Sequence, residues 1–458
     1  MTPRGRAGLV VGVALVLLVA GASPALAHGL GGRVDLPVPR WLFVWGASAA
    51  LVASFVALGV LWREPRLEGR ADPPGRDGPL QRLLTSPAVE WAVRLVALAW
   101  FLLIAVAGLA GADDPTANLA PVAVYVWAWV GLAFACALLG NLWATLSPFD
   151  TLARALAIGE RPRWRYPPWL GAWPAVASLF AFVWLELVAP FGARPRVLGL
   201  AAVGYSAATL AGMAAFSRET WERNGEAFAV LYDLLGRLSP LGRDAEARVV
   251  LRPPLGGLPA LEPRPGLLAF VMTSLGSTTF DGLSRSSAWL SATGRLSEGA
   301  RMLAGTAGLV GTILAVAAAY ALAMAAAGAV GRRGWHPLSV RFAHSLVPIA
   351  FAYLAAHYFS LLFLEGQLGV ILLSDPFGRG WDLLGTAGWQ VNLGLLSPTT
   401  IWYVQVAAVI AGHVGGVVLA HDRAVATFPG RLAVRTQYAL IAVMVLFTVT
   451  ALVLLSGG

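Results

Sequence analysis

The chain has 458 residues, of which 58% are hydrophobic and only 12% charged, with a mean hydropathy of +0.70. A soluble globular domain carries about 25% charged residues, so this composition excludes a water-soluble protein and points to the membrane. The net charge of +9 comes from 33 basic residues that are all arginine, and arginines marking cytoplasmic loops account for it without a nucleic-acid partner.

The chain opens with Arg4 and Arg6, an apolar run from Ala7 to Ala20, Pro24, and then Ala25-Leu26-Ala27. These are the charged, apolar and small-residue parts of a signal peptide, which predicts removal of residues 1–27 and an extracellular segment over 28–40. An uncleaved anchor helix over 8–27 is the alternative, and it leaves the rest of the chain in the same orientation. Cleavage would give His28 a free α-amine beside its imidazole, a pair suited to copper.

A hydrocarbon core of about 30 Å takes roughly 20 apolar residues as a helix. Laid along the remaining sequence, that length finds ten spans, at 41–62, 91–111, 121–143, 170–190, 197–216, 267–281, 302–330, 342–363, 399–420 and 438–456. The expected fold is an all-α, polytopic transmembrane helix bundle, with spans 1–5 in residues 41–216 and spans 6–10 in 267–458. If the first span runs inward and the rest alternate, the connecting segments placed inside hold 22 arginines and those placed outside hold 8. That asymmetry puts the N-terminal segment and the C-terminus outside the cytoplasm.

Arg94 falls inside the second span, where snorkelling to the inner interface is the ordinary solution. Cys136 is the single cysteine and sits in an apolar run, which fits a small core residue and excludes an internal disulfide. Residues 217–266 are the one sizeable loop and are expected in the cytoplasm. Phe228, Leu231, Leu234, Leu235 and Leu238 recur there at helical spacing, which predicts a helix lying on the membrane surface, followed by a Pro/Gly-rich linker. The sixth span, "LLAFVMTSLGSTTFDGLS", has its apolar run broken by Gly276, Ser277 and two threonines, and this predicts a broken or re-entrant helix.

Ionisable side chains inside spans are costly and mark functional sites. Here they are Glu186, Asp281, His344, His357 and His413, with His421-Asp422 at a helix end; five of the six histidines fall between 336 and 421. Alternating orientation sorts them by depth. His344, His413 and His421 form an inner group; Glu186, Asp281 and His357, with Glu365 just beyond, form an outer one. His344 and His357 lie about 20 Å apart along one helix, at 1.5 Å per residue. Imidazole and carboxylate suit a divalent metal ion, with His344, His357 and His413 as candidate ligands and Asp281 or Glu186 as catalytic base. The same histidines also fit interhelical hydrogen bonds, or a single inner haem between His344 and His413 or His421.

Five stretches, "HGLGGRVDLPVPRWLFVWGASAALVASF", "NLWATLSPFDTLARAL", "TTFDGLSRSSAWL", "HSLVPIAFAYLAAHYFSLL" and "GHVGGVVLAHDRA", together resemble a group of polytopic membrane proteins of GC-rich actinobacteria that carry the name fenitrothion hydrolase. The resemblance covers most of the chain. It implies hydrolysis of a lipophilic organophosphorus triester, and it brings no catalytic residues that can be placed on this sequence. Three functions therefore stand open: a metal-assisted membrane hydrolase, a transporter or permease with buried proton- or ion-binding groups, and a b-type haem protein. Each has the lipid bilayer as its surroundings, and the first has a lipophilic small molecule as substrate.

Overall fold

The computed structural model describes residues 40–70, 73–75, 78–244 and 246–456. The expected signal peptide, the segment after it and His28 lie outside them. The chain is a bundle of helices: α1 (Arg40–Leu61), α2 (Pro87–Ala110), α3 (Leu119–Leu139), α4 (Trp173–Leu187), α5 (Pro195–Phe216), α6 (Ala227–Gly236), α7 (Leu267–Ser284), α8 (Glu298–Gly331), α9 (Val347–Leu364), α10 (Pro398–Thr427) and α11 (Tyr438–Ser456). Among the described residues the strands are short, a single antiparallel pair of Leu241–Arg243 with Val249–Leu251 in the 217–266 loop.

Proline at the first helical turn fixes the start of α2, α5 and α10, where its missing N–H has no helical partner to lose. Among the described residues eight helices are long and apolar enough to cross a membrane. Their outer faces carry exposed Val56, Leu61, Leu200, Leu303 and Leu314, the surface a lipid environment wants. The bundle is thus multi-pass. Of the ten expected spans, 170–190 shortens to the 15-residue α4 and 267–281 becomes the polar-spotted, 18-residue α7.

Both nevertheless run from one end of the bundle to the other, because the connecting segments sort into two groups. At one end Gly75 N donates to Asp244 (2.8 Å), Arg218 pairs with Asp150 (2.6 Å), Arg423 donates to the Pro259 carbonyl (2.9 Å) and Arg333 lies over the Phe428 ring. At the other, Ala112 N donates to the Phe377 carbonyl (2.8 Å), Arg196 N to Asp113 (3.1 Å) and the Tyr125 hydroxyl to the Gly192 carbonyl (2.9 Å). The first group gathers the arginine-rich segments.

Three local expectations are corrected. Helix α7 is continuous through Gly276, because Thr273, Ser277, Thr278 and Thr279 hydrogen-bond back to carbonyls three or four residues earlier and so need no cavity. It is deeply buried, and a Cβ on Gly276 would come within 2.5 Å of Ile313 Cα in α8, so glycine here permits close helix packing. Helix α6 lies within the bundle, not on the membrane surface: Val230, Leu231, Tyr232, Leu234 and Leu235 are all at most 3% exposed. Apart from Asp233, which pairs with Arg237 (2.9 Å), the residues of this helix are apolar or glycine, and Tyr232 reaches the Ala128 carbonyl in α3 (2.7 Å). Arg94 does not snorkel. It is 2% exposed and pairs with Asp150 (2.6 Å) and Glu90 (2.8 Å), with a third bond to the Ala144 carbonyl.

Candidate functional site

Helices α4, α7 and α9 bring three of the expected residues together near the end opposite the arginine-rich segments. Asp281, in the last turn of α7, is 2% exposed. Arg285, one turn on, reaches it with Nε (3.0 Å) while its own side chain is largely exposed. His357 on α9 places Nε2 2.7 Å from the other carboxylate oxygen, a close contact that is an ion pair when the imidazole is protonated. Tyr358 stands beside the same carboxylate.

Glu186, near the end of α4, faces Asp281 and Arg285. Its Oε2 is buried without a hydrogen-bond partner. The cluster thus sets two carboxylates against one guanidinium and one imidazole. Glu365, expected beside them, caps the end of α9, and among the described residues its side chain makes no hydrogen bond or ion pair with the cluster. His357 also lines a small pocket with Thr278, Tyr353 and Val409, with space for about one water molecule.

The histidines expected as an inner group are engaged separately. His413 is fully buried; its Nδ1 lies 2.8 Å from the Val409 carbonyl, and its Nε2 has no partner. His344 repeats this arrangement against the Arg341 carbonyl (3.2 Å), with Nε2 at 3.9 Å from Glu68. A carbonyl accepts from Nδ1–H, so in both rings Nε2 carries the lone pair. His421 has both nitrogens occupied, Nε2 by the Trp62 carbonyl (3.0 Å) and Nδ1 by Gln437 (3.2 Å), which leaves none for a haem iron. Among the described residues no three His, Cys, Asp or Glu side chains are grouped to hold a metal ion, so His344, His357 and His413 do not form the expected ligand set with Asp281 or Glu186.

Two further buried carboxylates anchor the arginine-rich end, Asp422, which the sequence places at a helix end, and Asp150, which it did not single out. Asp422, fully buried at the arginine-rich end of α10, accepts from Trp62 Nε1 (2.8 Å) and from the backbone N–H groups of Arg66 (2.6 Å), Leu67 (3.1 Å) and Glu68 (2.8 Å). Asp150 accepts from Arg94, Arg154 and Arg218; burial pushes its pKa up, but Arg218 and Arg154 outweigh it and hold the carboxyl below the usual range. The Ser147-Pro148 helix start beside it, with Ser147 Oγ accepting from Asp150 N, is a capping signature that places Asp150 in a first helical turn.

No protein-family profile, curated protein or solved structure matches the chain.

Proposed function

We propose that this chain is a multi-pass transporter or permease of the cell membrane that binds and releases a proton at the Glu186–Asp281–His357 cluster. One observation carries the reading: the buried Asp281 and the partly buried Glu186 stand against one guanidinium and one imidazole, so the group is electrically neutral only when it holds one proton more than a neutral imidazole and two carboxylates would. An uncompensated charge at membrane depth is costly, which ties the gain or loss of that proton to the state of the surrounding helices. With the arginine-rich end in the cytoplasm, the start of α1 and the end of α11 lie outside and exposed Arg285 connects the cluster to the outer face.

The test is proton flux into proteoliposomes loaded with a pH-sensitive dye, under an imposed gradient. Wild-type protein is expected to carry flux and Asp281→Asn to lose it; equal flux in the two would refute the reading.

A second reading, hydrolysis of lipophilic organophosphorus esters, is favoured by the one-water pocket beside His357. There the Asp281–His357 pair would act as general base on a water molecule, without the divalent metal that the sequence led one to expect. Nitrophenol release that persists under chelation and fails in His357→Gln supports it, and no turnover in either condition removes it.

A further inference from the structure

A cavity of about 560 Å³ opens at the arginine-rich end, bounded by the helix Pro148–Ala155, by residues 218–237 and by residues 260–264. Asp150 is its organising charge. Arg94, one of its three partners, has Glu90 as a second carboxylate, but among the described residues Arg154 and Arg218 have no other within hydrogen-bond distance, since Glu219 and Glu222 stand 3.7 and 3.8 Å from Arg218. On the opposite wall Arg264 donates from Nη2 to the Arg223 carbonyl, and its Nε is buried with no partner among the described residues. Burial pulls the Arg264 pKa down, the mark of a guanidinium short of negative charge. The remaining wall charges pair with each other, Arg223 with Glu262 and Arg237 with Asp233. Of the five guanidinium groups on the cavity wall, three, Arg154, Arg218 and Arg264, therefore have a single directly bonded carboxylate, Asp150, among them.

We propose that this cavity binds an oxyanion, a phosphate or carboxylate group, held by Arg154, Arg218 and Arg264. The planar fork of N–H groups on each guanidinium matches two oxygens of such a group. This goes beyond the proton cluster, lies at the other end of the bundle and does not depend on it.

Glu222 lines the same cavity and faces Asp150, Arg218 and Glu226. Burial, and next the Asp150 charge, push its pKa up to about 8. Glu226 does not compete for the ligand: its carboxylate is taken up by Trp143 Nε1, the Tyr205 hydroxyl and the N–H groups of Phe228 and Ala229. Below about pH 8 Glu222 is neutral and the arginines dominate the cavity; above it, Glu222 adds a negative charge. Oxyanion affinity therefore falls as pH rises through about 8.

The oxyanion can be a soluble ion or the headgroup of an anionic lipid, because the cavity opens at the end of the membrane bundle. Full-length protein in neutral detergent is titrated calorimetrically with inorganic phosphate and with succinate. In a parallel arm, protein in phosphatidylcholine nanodiscs is titrated with short-chain phosphatidylglycerol. Saturable binding is expected, weakened about tenfold in Arg264→Gln for the loss of one charged hydrogen-bonding group, and Glu222→Gln is expected to abolish the weakening above pH 8. Binding in the soluble arm identifies a free oxyanion; binding in the lipid arm alone identifies a headgroup. The proposal is overturned by a folded wild type that binds in neither arm, or by unchanged affinity in Arg264→Gln and in Arg154→Gln, the latter a partly exposed position where folding is least at risk.

Discussion

Replacing Asp422 by Asn tests the arginine-rich end of the fold with a change of a single functional group. Oδ1 of Asp422 accepts from Trp62 Nε1 and Arg66 N, and Oδ2 from Leu67 N and Glu68 N. An asparagine presents one carbonyl oxygen and one NH2 group, so whichever way it turns, two of the four donors face another donor. Each buried donor left without a partner costs about 1–3 kcal/mol, which gives about 2–6 kcal/mol for the pair. A loss of that size lowers the melting temperature of a chain this long by about 2–6 °C. Intrinsic tryptophan fluorescence of detergent-solubilised protein during heating measures it, and Trp62 sits at the site. Trypsin provides a local readout, because Arg63, Arg66 and Arg70 lie in the segment that Asp422 pins down. Asp375→Asn is the control. Asp375 also accepts backbone N–H bonds, from Arg379 (2.9 Å), Gly380 and Trp381 (3.1 Å), but at the open surface, where water replaces them; it should cost less than about 1 kcal/mol. If Asp422→Asn melts with the wild type and is cleaved no faster, the clamp contributes nothing and the reasoning fails.

Arg94→Gln removes one of three arginines from Asp150 and should destabilise by about 2 kcal/mol, less than the full cost of breaking a buried pair because Arg154 and Arg218 remain; a snorkelling arginine would have cost almost nothing, and the melting curve separates the two. In Gly412→Ala the new Cβ would stand 2.1 Å from Ala352 Cβ on α9, an overlap that must separate α9 from α10. It should cost about 1–3 kcal/mol and reduce the monodisperse fraction on gel filtration, against an unchanged profile if the helices pack loosely. Glu222 binds its proton more tightly in the folded protein, with a pKa raised from 4.5 to about 8. Its contribution to stability is therefore complete at low pH and is lost as pH rises from about 4.5 to about 8, with no further change above. Melting temperatures of wild type and Glu222→Gln measured across that window should diverge in that sense, and parallel curves would contradict it.

The helices were legible because a membrane span is a matter of length and hydrophobicity, and α1, α2, α3, α5, α8, α10 and α11 declare themselves on both counts. The outer cluster was legible for a related reason: alternation of span direction assigns a depth to each charged residue, and Glu186, Asp281 and His357 share one. What escaped the sequence depends on partners far away in the chain. Arg94 looked unpaired because Asp150 is 56 residues distant, and Asp422 meets its donors across more than 350 residues. Helix α6 misled because its apolar residues suit a lipid surface and a protein interior equally well, and only its all-round contacts decide. In α7 the threonines and serines read as an interruption, whereas each folds back on its own helix.

The central claim is that the Glu186–Asp281–His357 group holds an exchangeable proton. Difference infrared spectroscopy of the reconstituted protein between acidic and alkaline buffer reads that proton directly as a carboxylic-acid C=O band. The account predicts a pH-dependent band that disappears or shifts in Glu186→Gln and in Asp281→Asn, with the histidine ring modes altered in His357→Gln. A spectrum without such a band, or one that all three variants leave unchanged, would contradict it.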